Sequence, residues 1–97
     1  IKVAVFPLVK KEGLPKIARK IAKELREAGI ETFYDESGSV GRRYRRQDEI
    51  GTPFCITVDF DTLEKGTGVT VRNRDTGEQE RVDESDLISH LHQKLTQ

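Results

Sequence analysis

Four arginines fall within five positions of the segment Ser39–Asp48, which reads SVGRRYRRQD. On a helix, Arg42, Arg45 and Arg46 would share one face, whereas Arg43 would point elsewhere. Like charges at these spacings repel each other, so folding alone does not favour the cluster. Because a planar guanidinium fork suits phosphate oxygens and the hydrogen-bonding edges of bases, the cluster indicates a nucleic-acid contact. The alternative is a solvated face, with Arg43 as its structural member, on which the arginines pair with nearby acids: Asp35, Glu36, Asp48 and Glu49.

A second basic segment lies in the run Gly68–Arg74, GVTVRNR. Arg72 and Arg74 alternate there and would lie on one side of a strand, and Phe60 at the end of the preceding strand-like run offers a ring for stacking. Basic groups beside an aromatic platform are typical of sites for single-stranded nucleic acid. The whole chain has 17 basic and 17 acidic residues, so its positive charge is local. A neutral domain with a focused basic patch fits recognition of a few nucleotides better than non-specific coating.

Two helices are predicted in the first half of the chain, and the second of them carries the arginine cluster. The first begins at Leu14, has apolar residues at helical spacing, and ends before Gly29, which suits the position just past a helix. The second runs from Val40 to about Ile50, with Ser39 as its N-cap and Gly51 at its end.

Strand-like runs alternate with these helices. They are Ile1–Val9, Ile30–Tyr34, Pro53–Phe60, Gly68–Arg74 and Glu78–Val82. The segment 61–66, DTLEKG, is predicted to be a loop. A last helix is indicated by Leu87, Ile88, Leu91 and Leu95 on one face, with Asp83 or Ser85 as its cap. The order β-α-β-α-β-β-β-α predicts an α/β fold with parallel strands joined by right-handed crossovers and antiparallel strands at one side.

Length and composition limit the class of protein. A chain of 97 residues suits one domain, 1–97, with one modest core. No apolar run reaches the roughly 20 residues that a membrane helix needs, and no signal peptide is visible. The lone Cys55 favours a reducing, cytoplasmic location. Because the chain opens on Ile1 inside a strand-like run, we expect it to be a domain excised from a longer protein.

The segment Gly38–Thr62, GSVGRRYRRQDEIGTPFCITVDFDT, closely resembles the C-terminal anticodon-binding domain of class II glycyl-tRNA synthetase. The strings FPLVKK and VTVRNRDT match the same family, so the resemblance covers essentially the whole chain. It implies a three-layer α/β/α fold in which a mixed five-stranded sheet is flanked by three helices. It also implies docking onto the anticodon loop of glycine tRNA, whose last two anticodon bases are both cytosine.

The resemblance further implies what the domain does not carry itself. The parent would be a glycine–tRNA ligase, expected to be homodimeric, whose separate catalytic domain uses ATP and Mg²⁺. This domain would hold no cofactor, would not be an enzyme alone, and would position the tRNA for that catalytic domain. No membrane partner is expected.

Functional residues carry over by position. Arg42, Phe60 and Arg74 are implied to lie near bases. Phosphate or loop contacts are implied for a second set: Arg43, Arg46, Thr62 and Arg72. Cytosine recognition also needs an acceptor for the amino group, which arginine cannot supply. The acceptor could be Asp59, Asp61 or a backbone carbonyl, and the sequence leaves that choice open.

Two rival functions and a metal site compete with this interpretation. The run ITVDFDT resembles the phosphate-transfer motif of haloacid-dehalogenase-type hydrolases, with Asp59 as nucleophile, but the further lysine and acidic pair of that chemistry have no place in the remaining elements. An anticodon-domain-like interaction module, as in a mitochondrial DNA polymerase accessory subunit, keeps the fold without tRNA specificity. A metal site is not expected, because His90 and His92 face different directions on a helix. Cys55 is predicted to pack in the core. Tyr44, four residues after Val40, is predicted to pack onto the core, with stacking on a base as the alternative.

Overall fold

The computed structural model describes residues 2–11 and 13–96. The predicted strand start at Ile1 lies outside these residues. The elements are β1 Val3–Pro7, α1 Leu14–Glu27, β2 Thr32–Tyr34, α2 Val40–Ile50, β3 Phe54–Val58, α3 Phe60–Lys65, β4 Val69–Asn73, β5 Gln79–Val82 and α4 Glu84–Leu95.

The five strands form one mixed open sheet in the order β2-β1-β3-β4-β5. β1 lies parallel to β2 and β3, whereas β4 runs antiparallel to β3 and β5. The predicted α/β fold with a mixed five-stranded sheet is therefore confirmed.

Side chains of β1 alternate between the two faces of the sheet. Val3 and Val5 belong to the main apolar cluster with residues of α1 and α4. Ala4 and Phe6 point the other way, where Cys55 joins them and Tyr44 of α2 packs on top. Two helices thus cover one face, and α2 covers part of the other.

The segment predicted to be a loop after β3 is instead the short helix α3, so the described chain has four helices rather than three. Asp59 caps this helix: its side chain accepts from the backbone N–H of Thr62, and the Thr62 hydroxyl in turn accepts from the N–H of Asp59. Gly66, with φ 62°, ends it in the left-handed conformation. This reciprocal cap stabilises a helix that has too few apolar residues to be predicted from hydrophobic periodicity. Phe60 is consequently the first residue of α3 and not the last of a strand.

The predicted bounds of α2 are confirmed. Ser39 Oγ accepts from the backbone N–H of Arg42 at 3.3 Å, and Gly51 ends the helix with φ 91°. At the start of α4, Asp83 occupies the N-cap position, and its side chain makes no capping hydrogen bond.

The sheet face under α2 is only half covered. α2 lies over β1 and the adjoining part of β3, where the Tyr44 and Thr57 hydroxyls hydrogen-bond. Beyond it, β4 and β5 present four polar side chains that are half-exposed or exposed: Thr70, Arg72, Gln79 and Arg81. We call these four residues the open face.

Within the described residues, no helix is long and apolar enough to cross a membrane.

Candidate nucleic-acid interface

Arg42, Arg45 and Arg46 form an exposed basic patch on α2, which we call the α2 patch. Arg46 donates to the carbonyl of Ser37 at 3.0 Å and lies 3.3 Å from the carboxylate of Asp35. The guanidinium groups of Arg42 and Arg45 have no hydrogen-bond or ion-pair partner among the described residues. Together with Glu49, the three arginines line a shallow hollow of about 260 Å³. Two of its three cations are thus left free to bind an external anion.

Arg43 does not belong to this patch. Its side chain is 1% exposed, and its guanidinium donates to the carbonyls of Pro7, Leu8 and Asp35 at 2.6, 3.2 and 3.4 Å. It also lies over the Phe6 ring, 5.6 Å from the centroid. Burial lowers the pKa of Arg43, and the charge of Asp35 opposes that shift. Arg43, which the resemblance implied as a phosphate or loop contact, is thus buried, and its donors bond inside the protein.

Arg72 and Arg74 meet α2 at Asp48. Arg72 points from β4 across the open face, and its two Nη atoms donate to the two Asp48 oxygens at 3.1 and 3.5 Å. Its guanidinium lies over the Tyr44 ring, 5.1 Å from the centroid. Arg74, just past β4, donates through Nε to the backbone carbonyl of Asp48 at 3.3 Å and also pairs with Asp75. The hydrogen bond to Asp48 raises the pKa of Arg72 and fixes the direction of its plane.

The far end of the open face holds a second arginine–carboxylate pair, which the sequence did not reveal. Arg81 donates to both oxygens of Asp59 at 2.8 and 2.7 Å, and also to the carbonyls of Thr67 and Gly68. The hydrogen bond from Arg81 lowers the pKa of Asp59 to about 2 despite partial burial. This pair ties β5 to the start of α3.

Thr62 lies inside that network. Its side chain is buried, and its hydroxyl donates to the carbonyl of Gly68 at 2.6 Å while forming the cap of α3. Thr62, which the resemblance implied as a phosphate or loop contact, thus has a hydroxyl that is enclosed and bonded inside the protein.

Phe60 and Arg74 lie at opposite ends of β3. The backbone N–H of Arg74 donates to the carbonyl of Pro53, just before β3, whereas Phe60 lies two residues beyond Val58, where β3 ends. At 3.3 Å per residue the two are about 20 Å apart. The Phe60 ring is half-buried and packs against the main apolar cluster on the α1 side. The structure therefore does not gather the predicted base-proximal residues into one pocket.

The rival sites find little support in the geometry. Asp59 is held by Arg81 and Thr62, and Asp61 lies 3.7 Å from Lys65 on α3. His90 Nε2 lies 2.8 Å from a Glu80 oxygen, so it turns toward β5. Within the described part of the chain, no group of three or more His, Cys, Asp or Glu side chains could hold a metal ion.

The core predictions for Tyr44 and Cys55 are confirmed. Tyr44 packs edge-to-face on Phe6 with centroids 5.3 Å apart, and Cys55 is 1% exposed.

A larger hollow of about 310 Å³ lies on the opposite side of the sheet. Its lining includes Glu78 and Glu80 against one lysine, Lys94. Acidic walls repel a phosphate backbone, so the basic surface around α2 and β4 is the better candidate for nucleic acid.

This chain is an α/β domain in which exposed arginines lie beside a half-covered sheet face, an arrangement that suits binding to an anionic partner such as nucleic acid. Residues 2–94 match the anticodon binding domain family, and the chain belongs to that family. It is similar to glycine–tRNA ligases from Corynebacterium glutamicum (60% identity), Methanocaldococcus jannaschii (57%) and Methanococcus maripaludis strain S2 (53%), in each case over 95 residues and 98% of this chain. The matched region spans 20%, 16% and 16% of those relatives, so the chain corresponds to about a fifth or less of their length.

Proposed function

We propose that this domain recognises the anticodon loop of glycine tRNA as one part of a longer glycine–tRNA ligase. The observation that carries the proposal is the 53–60% identity with such ligases over 98% of the chain, within a family of anticodon binding domains. The same relatives favour this function over that of an interaction module without tRNA specificity. The role is positional, because the domain holds the anticodon while the acceptor end reaches a distant active site.

The chemistry of aminoacylation belongs to the rest of the proposed parent. A catalytic domain there would use ATP and Mg²⁺, and the parent would act as a homodimer in the cytoplasm. The described residues of this chain contribute binding groups alone to that scheme.

The proposed binding surface extends from the α2 patch across the open face. Arg42 is free of internal partners and can reach a base, as its position in the family pattern implies. Arg45 is equally free and suits a phosphate, and Arg46 can add a second phosphate contact while it stays paired to Asp35. Arg72 and Arg74 form a second contact region beside Asp48. Phe60 sits about 20 Å from Arg74 and packs on the α1 side of the sheet, so a single nucleotide cannot contact both residues.

Binding to anticodon stem-loops tests this proposal. The 97-residue chain should bind a fluorescently labelled anticodon stem-loop of glycine tRNA, whose anticodon ends in CC, more tightly than the same stem-loop with an anticodon ending in UU. Replacing Arg42 and Arg74 together by alanine should remove the preference. The double variant Lys20→Ala/Lys23→Ala is the matched control, because it removes the same charge from the exposed face of α1 and should keep the preference.

Equal affinity of the unmodified chain for the CC and UU loops would contradict anticodon recognition. Chemical-shift mapping adds an independent criterion. Perturbations confined to α4 would place the RNA on the wrong side of the sheet.

A further inference from the structure

Recognition of cytosine requires a hydrogen-bond acceptor for its amino group, and the two carboxylates expected from the sequence are poorly placed for it. The Asp59 side chain is 23% exposed, both of its oxygens accept from Arg81, and one of them also accepts from the backbone N–H and the hydroxyl of Thr62. Asp61 lies on α3 and pairs with Lys65, whose Nζ is 3.7 Å from its carboxylate. A carboxylate beside the basic groups of β4 would suit the cytosine amino group better than these two.

Asp48 is the carboxylate that the structure brings to the basic groups of β4. Its side chain is 40% exposed, and among the described residues Arg72 is its one side-chain partner. The Arg72 side chain is 21% exposed, and its guanidinium is held between that carboxylate and the Tyr44 ring. Arg74 bonds to the carbonyl of the same residue. One exposed acceptor thus stands beside two oriented guanidinium groups.

The pair of Asp48 and Arg72 retains unused hydrogen-bonding capacity. Each Nη atom of an arginine carries two N–H groups, and each carboxylate oxygen has two lone pairs. The contacts between Arg72 and Asp48 use one N–H and one lone pair at each side, so the rim of the pair shows a donor next to an acceptor. Cytosine shows the complementary arrangement, an amino donor at N4 next to ring acceptors.

We propose that Asp48 accepts the hydrogen bond from the amino group of one anticodon cytosine, while Arg72 donates to the ring of the same base. The inference rests on the proposed function and deepens it by naming a specificity-determining residue. Sequence reasoning placed Asp48 among the acids that neutralise the arginine cluster. Its exposure and its position at the edge of the open face assign it a second role.

A thermodynamic cycle between protein and base tests the assignment. On the RNA side, each of the two cytosines is replaced in turn by pyrimidin-2-one, which lacks the amino group. On the protein side, Asp48→Asn keeps the shape of the side chain. Because each carboxylate oxygen accepts from Arg72, the NH₂ group of asparagine removes one of these two contacts together with the lone pair that this oxygen offers to the base.

The unmodified chain should lose about 5- to 100-fold in affinity when one of the two amino groups is removed, as expected for a lost base contact. Asp48→Asn should bind the normal loop more weakly by a similar factor, and removing the amino group should then change its affinity by less than about twofold. Asp61→Asn is the control: it makes the same chemical change on α3 and should leave the amino-group effect intact. The melting temperature of each variant shows whether the fold is kept.

If Asp48 only tied α2 to the sheet, Asp48→Asn would weaken binding of the normal stem-loop and of the stem-loop without the amino group by the same factor. The two changes in binding free energy would then be additive. That result overturns the assignment and leaves anticodon recognition standing. If instead the unmodified chain shows no preference for CC over UU, the proposed function fails and this inference fails with it.

Discussion

The guanidinium of Arg43 donates a 2.6 Å hydrogen bond to the carbonyl of Pro7, the last residue of β1. The same guanidinium donates to the carbonyls of Leu8 and Asp35, which follow β1 and β2. These carbonyls lie where the chain leaves the sheet. One side chain of α2 therefore satisfies backbone acceptors at the ends of two parallel strands, and so fixes the helix that carries the α2 patch.

Replacing this arginine should destabilise the domain strongly. Arg43→Met leaves three interior carbonyls without their donor and should lower the free energy of unfolding by about 3–5 kcal/mol. Arg45→Met removes the same charge from the exposed part of α2 and should change it by less than about 0.5 kcal/mol. Urea unfolding followed by circular dichroism compares the two. Equal midpoints for the two variants would show that the Arg43 bonds contribute nothing.

Gly68 should tolerate no side chain. It has φ +87°, and a Cβ built there would lie 2.2 Å from the carbonyl oxygen of Val82. Gly68→Ala should therefore force β4 and β5 apart and cost more than about 3 kcal/mol. Gly66→Ala is the matched control, because it has φ +62° in open space and should cost about 1 kcal/mol. Thermal unfolding of both variants separates the close contact from the backbone strain, and a loss of equal size would exclude the contact.

The local signals in the sequence were sufficient for α2. Its cap Ser39 and its terminator Gly51 lie next to the helix that they bound, and both act through the backbone. The helix α3 was not predicted, because its start depends on reciprocal hydrogen bonds between Asp59 and Thr62. When only hydrophobicity is considered, this segment resembles the end of a strand followed by a loop.

The composition of the candidate site was harder to predict, because its pairs are distant in sequence. Asp48 and Arg72 are 24 positions apart, and Asp59 and Arg81 are 22 apart. Helical spacing correctly separated Arg43 from the other arginines, but its partners are carbonyls up to 36 positions away. No periodicity encodes such contacts, which arise when sheet order and register bring the strands together.

Acid should weaken the tie between Asp59 and Arg81. The hydrogen bond from Arg81 holds the folded-state pKa of Asp59 at about 2, below its ordinary value of 3.8. A depressed folded-state pKa contributes stability above the unfolded pKa, and that contribution is lost as the pH falls from about 4 to about 2. Asp59→Asn should therefore be less stable than the unmodified chain at pH 7, and the difference should shrink across this window. Urea unfolding over a series of pH values measures it, and a difference independent of pH would contradict the tie.

Cys55 should be unreactive in the folded domain. It is 1% exposed, and burial raises the pKa of its thiol to about 12, so the reactive thiolate is scarce. Iodoacetamide at neutral pH should label it in urea and leave it unmodified in native buffer. Ser89→Cys in a Cys55→Ala background places a thiol on the exposed side of α4 and should react under both conditions. Rapid labelling of Cys55 in native buffer would show that the layer between α2 and the sheet opens readily.

The two free arginines of the α2 patch should differ in what they contribute to RNA binding. Arg42→Ala should cost about 1–3 kcal/mol with the CC stem-loop and less with the UU stem-loop, as a base contact requires. Arg45→Ala should weaken both stem-loops alike and reduce the slope of log affinity against log salt by about 0.7, as expected for one lost phosphate contact on a single strand. Titrations at several salt concentrations give both quantities for both variants. Arg42→Ala could instead weaken binding of the two stem-loops equally and lower the slope of log affinity against log salt. Arg42 would then be a phosphate contact, and base recognition would be assigned to Arg72 and Arg74.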